Sequence, residues 1–118
     1  MIYLLIGVGA FFGAIARFLL SSMLSKLVFL GFPLGTLTVN LIGCFFIGIF
    51  LAVNFSNKEL FSPLLIIGFL GSFTTFSAFT KEVLFFSTTS GIFMAYFMAL
   101  IITSACIFST IIGFKMFS

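Results

Sequence analysis

Between Glu59 and Lys81 the chain runs LFSPLLIIGFLGSFTTFSAFT, residues 60–80, without one charged side chain. A helix needs roughly 20 apolar residues to cross the hydrocarbon of a bilayer, and this stretch has the length of one crossing. Its second half differs from its first. Gly71, Ser72, Thr74, Thr75 and Ser77 interrupt the Leu, Ile and Phe residues around them, which reads as a break in the helix at mid-membrane depth. Backbone unwound there has to be buried in protein or line a cavity, and its freed carbonyls can hold a cation. The alternative is a continuous helix whose hydroxyls bond back to the preceding turn.

The same reasoning extends outward. Charged residues bound three more apolar windows, 1–16, 27–57 and 83–114, each able to hold one span. The first requires Arg17 near its end, where a long side chain can snorkel to the headgroups or turn into the protein. Helices are predicted at about 2–24, 34–53, 62–87 and 92–115. Turn and breaker residues connect them at Ser25–Pro33, Asn54–Glu59 and Ser87–Gly91. The fold class is therefore an all-α membrane protein of four transmembrane helices, the third broken, forming one domain over residues 1–118. An amino-terminal signal peptide does not fit, because no basic region precedes the first apolar run.

Composition agrees: 63% of residues are hydrophobic and 6% charged, with mean hydropathy +1.46, so water is not the main solvent. A net charge of +3, scattered along the chain, makes no basic face for nucleic acid. With no His, no Asp and no nucleophile beside a base, enzymatic chemistry lacks its residues. Cys44 and Cys106 lie deep in apolar runs and read as small buried core residues.

Lys and Arg are nearly balanced across the membrane. Lys58 and Lys115 lie on the side of the termini, against Arg17, Lys26 and, near a helix end, Lys81 on the other. The positive-inside rule then gives little preference, which permits insertion both ways and an antiparallel homodimer. Four short helices enclose little polar space alone, so dimerisation is expected. Gly9 and Gly13, with Ala10 and Ala14, allow close helix approach, either between subunits or within one.

Several polar residues stand inside the apolar runs. Asn40, sharing a face with Thr36 and Gly43, either makes an interhelical hydrogen bond or faces a polar path. Phe76 and Phe79 project from one face just after the break; they pack a core or turn positive ring edges toward an anion. Glu82, beside Lys81, marks the headgroup level or couples to protons. In the fourth helix Tyr96, Ala99, Thr103, Cys106, Thr110 and Gly113 form a weakly polar stripe that suits close packing and a hydroxyl-lined path equally.

Three stretches in order resemble the Fluc (CrcB) family of small bacterial fluoride channels. They are Gly9-Ala10 with Gly13-Ala14 and Arg17, Gly35 through Gly43 with its Asn40, and Gly71 through Glu82. The resemblance implies an antiparallel, dual-topology homodimer in the bacterial inner membrane, lipid-embedded and multi-pass, exporting fluoride passively through two pores at the subunit interface. It implies that Asn40, Phe76 and Phe79 line each pore, with a polar track of Ser77, Thr80 and Thr110. It also implies a structural, untransported Na⁺ held at the centre by the carbonyls of Gly71 and Thr74, with Arg17 and Glu82 in structural or electrostatic roles. Ser72, Phe73, Ala78 and Thr80 depart from the family's Gly, Leu, Thr and Ser, and Cys106 stands where a serine is usual. A proton-coupled small multidrug exporter is the other reading, but it needs an acid in the first helix, which has none.

Overall fold

The computed structural model describes residues 1–118. Helix α1 (Ile2–Met23) is followed by strands β1 (Val28–Phe29) and β2 (Phe32–Pro33), then helix α2 (Leu34–Ala52). The third span is composite: α3 (Lys58–Phe61), a π-helical stretch Ser62–Leu70, α4 (Gly71–Phe73) and α5 (Phe76–Ser90). Helix α6 (Ile92–Phe117) completes the chain. Four helical runs are thus long and apolar enough to cross a membrane, as expected, and the molecule is 48 Å in its longest dimension.

The boundaries differ from the sequence reading in three places. The third span starts at Lys58 rather than 62 and continues to Ser90 rather than 87. Ser87, Thr88 and Thr89 do not break it, because their hydroxyls donate to the carbonyls of Leu84, Phe85 and Phe86 within the helix. Only Gly91, at φ +88°, separates the third span from α6. The Ser25–Pro33 connection is also more than a loop. Leu30 (φ 53°) and Gly31 (φ 85°) form a two-residue turn that pairs β1 with β2, and Phe32 plugs the end of the bundle, its ring edge-on to Phe86 at 5.5 Å.

Helix pairs meet through glycine. A Cβ at Gly9 would collide with the carbonyl of Leu64, and one at Gly13 with that of Phe69, so α1 lies backbone to backbone against the π-helical stretch. The small-residue pairs of α1 are therefore occupied inside the chain. Gly48 meets the Thr110 carbonyl and Gly113 that of Phe45, bringing α2 and α6 equally close. Only 18 of 118 residues are buried, and the core cluster comprises Phe32, Phe79, Phe86, Ala95, Met98 and Ile102. The bundle leaves most of its large apolar side chains on the outside, as a lipid solvent requires.

Candidate functional site

The helix of the third span stops after Phe73. Thr74 (ψ 150°) and Thr75 (φ −146°, ψ 122°) are extended, and helix α5 begins at Phe76. Asn40 on α2 holds this break from the side. Its Nδ2 donates to the Thr75 carbonyl at 3.0 Å, and its Oδ1 accepts from the Thr75 amide at 2.8 Å. The interhelical bond foreseen for Asn40 is therefore a two-point grip on unwound backbone, and one amide N–H remains for another acceptor. Thr36 and Gly43 share that face as the helical spacing required: Thr36 Oγ1 donates to Glu82 Oε1 at 2.6 Å, and a Cβ at Gly43 would strike Thr74.

Unwinding redirects two N–H groups. Thr75 N–H goes to Asn40, and Ala78 N–H goes to Thr75 Oγ1 at 3.2 Å, capping α5. The carbonyls of Gly71 and Thr74 therefore lose the i+4 donors that a continuous helix would supply. Ser72 O instead accepts from Arg17 Nε at 3.1 Å, so Arg17 turns into the protein rather than snorkelling.

Three cavities adjoin the break. One of about 220 Å³ lies between α2, the break and α6, and is bounded by Asn40, Cys44, Thr74, Thr75, Phe76, Phe79, Thr103 and Cys106, with no charged side chain among its walls. A second, of about 530 Å³, shares Phe76, Phe79 and Thr103 with it and extends between α5 and α6 past Thr80, Ser87 and Tyr96. The third, of about 370 Å³, is polar: it lies on the other side of Thr75, with Arg17, Thr36, Lys81 and Glu82 around it. Phe79 is buried and Phe76 is 74% exposed, their ring centres 5.9 Å apart. Glu82 Oε2 is buried without a hydrogen-bond partner in the chain.

The structure brings Asn40, Thr74, Phe76 and Phe79 together around the first cavity and adds Thr80 at the second. Ser77 is exposed beside them, its hydroxyl 3.3 Å from Thr75 Oγ1. Thr110 is not brought to these cavities; it bonds back to the Cys106 carbonyl within α6. The stripe on α6 thus divides. Thr103 and Cys106 face the first cavity and Tyr96 and Ala99 the second, while Thr110 and Gly113 serve packing against α2.

Cys44 and Cys106 are not inert core: both are free, half-buried and on the cavity wall. Sequence reasoning placed Thr75 in the break and Thr103 in the stripe but gave neither a role in the site. The first could have been found from the need of Asn40 for a backbone partner, the second from its place in the stripe.

A family model described as CrcB-like protein, Camphor Resistance (CrcB), matches residues 4–114. A protein of a Nitratiruptor species named fluoride-specific ion channel FluC is 41% identical over 116 residues, covering 93% of this chain and 89% of its own length. One of the same name from Campylobacter lari is 42% identical over 121 aligned positions, covering 97% and 95%. Another, from Chlorobium phaeobacteroides, is 48% identical over 85, covering 69% and 65%.

Proposed function

Because the chain belongs to the CrcB-like family, we propose that it is a fluoride-specific ion channel, a multi-pass membrane protein that lets fluoride leave the cytoplasm passively and so limits its toxicity. It conducts an ion and performs no covalent chemistry. The observation that carries this reading is the neutrality of the cavity at the break, whose polar groups are an amide, hydroxyls and thiols.

Fluoride is small and strongly hydrated, so its path has to replace water and still release the ion quickly. The free N–H of Asn40, the hydroxyl of Thr103 and the ring edges of Phe76 and Phe79 can do this without the tight hold of a fixed cation. Helix α5 begins at Phe76, and its first N–H groups favour negative charge at that depth. Ser77 and Thr80, beside the cavities, form the accompanying hydroxyl track, while Thr110 stays at the α2–α6 contact and does not join them. Arg17 and Glu82 set the field of the polar cavity across Thr75.

The functional unit is an antiparallel homodimer in the bacterial inner membrane. An exposed ring such as Phe76, beside cavities open along α5 and α6, calls for a covering surface, and the near balance of Lys and Arg supports a second copy inserted the other way. The carbonyls of Gly71 and Thr74, relieved of their helical donors, form a hard-oxygen set suited to a central Na⁺. Bound there, Na⁺ would satisfy those carbonyls and add positive potential near the paths.

Efflux from proteoliposomes loaded with fluoride or chloride tests the function. Fluoride should leave rapidly, chloride negligibly, and with no dependence on a proton gradient. Comparable loss of both halides, or a strict requirement for a proton gradient, would sink the reading.

A further inference from the structure

Helices α2 and α6 run parallel, since each follows a span of opposite direction. They touch at Gly48 and the Thr110 carbonyl. Cys44 and Cys106 stand four residues earlier on each helix, one turn along the same faces. Ser109 Oγ donating to Leu41 O at 3.0 Å holds the helices together at that level. Both thiols are free and open onto the cavity that Asn40 and Phe79 also line, on the walls that α2 and α6 give it. We propose that Cys44 and Cys106 form a two-sulfur site for a soft divalent cation that takes two ligands in a line, of which the mercuric ion is the probe.

Ligand chemistry selects that class. Thiolates favour soft metals, whereas zinc wants four ligands and no group of three metal-ligating side chains exists here. Charge narrows the choice further. Two thiols release two protons to solvent while mercuric chloride releases its two chlorides, forming two S–Hg bonds and a neutral product, whereas two thiolates on Cu⁺ or Ag⁺ would leave a net negative charge in a site without a cation on its wall. An occupant there lies beside Asn40 and Phe79, and would close the fluoride path if the functional reading holds.

The test counts thiols in the purified, reconstituted protein. One equivalent of mercuric chloride per chain should protect both cysteines from a membrane-permeant maleimide, and dithiothreitol should restore both. Cys44→Ser and Cys106→Ser should each release mercury to a competing thiol at a concentration roughly 100-fold lower, because the second, intramolecular ligand is lost. Protection of only one cysteine by one equivalent, or two mercuric ions bound per chain, would overturn the site. Loss of fluoride efflux at the same equivalence point, taken as a fraction of each variant's own rate and absent in the doubly substituted protein, would add that the site lies on the path. Protection of both thiols with efflux untouched would keep the site and count against the path assigned under the proposed function.

Discussion

Asn40 has more bonds to lose than its cost in lipid suggested, since both ends of its amide are committed to Thr75. Asn40→Ala strands a donor and an acceptor on partly buried backbone, each worth about 1–3 kcal/mol. The substituted protein should therefore unfold earlier in a sodium dodecyl sulfate titration by about 2–6 kcal/mol, with loss of fluoride efflux; an unchanged midpoint would mean that the break stands without this grip. At Phe79, Ile keeps bulk but removes the ring edge. Phe79→Ile should slow fluoride efflux at least about tenfold, the equivalent of about 1.4 kcal/mol in barrier, while its place in the core cluster costs the chain about 0.5–1.5 kcal/mol. Unchanged flux would return the ring to a packing role. Asn40 was legible from the sequence because a polar group stands out within an apolar span, whereas Phe76 and Phe79, two rings among 21 Phe, were singled out only by the family resemblance. Thr75 was not legible, because it acts through its backbone, and a backbone's partner cannot be read from the residue's own type.

Among the elements, the break in the third span was foreseen and the ends of that span were not. Hydroxyl residues gave opposite outcomes at the two places. Thr75 takes an extended conformation because Asn40 supplies the bonds that its turn gives up, whereas Ser87, Thr88 and Thr89 have no such partner and bond back into α5. The glycines separate two kinds of close approach. Gly113→Val drives a side chain into the Phe45 carbonyl and should destabilise the α2–α6 contact by about 1–3 kcal/mol, seen as an earlier detergent unfolding midpoint. Gly71→Ala meets only an ordinary 3.7 Å contact with the Ile66 carbonyl. It should leave helix content and single-chain stability intact, and, if the proposed pair is held about a central Na⁺, lower dimer recovery and its dependence on Na⁺ on size-exclusion chromatography. Equal damage to chain stability by both substitutions would argue that Gly71 is needed within one chain.

For the whole molecule, the exposed apolar surface and the even spread of positive charge belong together. Reporter fusions at the carboxyl terminus should give signal from both sides of the membrane. Asn54→Lys with Asn57→Lys adds two positive charges to one face and should drive the reporter to a single side, with fluoride efflux falling as the opposite orientation is depleted. A reporter confined to one side in the unaltered protein would exclude the antiparallel pair. The four-span count was plain from the spacing of charges, while the division of α6 between cavity and packing needed α2 in place beside it. The joint at Gly91 bears on insertion itself. With one residue between two long helices, that connection has no room for a charged segment, so the charges that set direction lie in the other loops and at the helix ends. If the pair is antiparallel as proposed, its two orientations are balanced by Arg17, Lys26, Lys58, Lys81 and Lys115, and a few substitutions among these should tip the chain to a single direction.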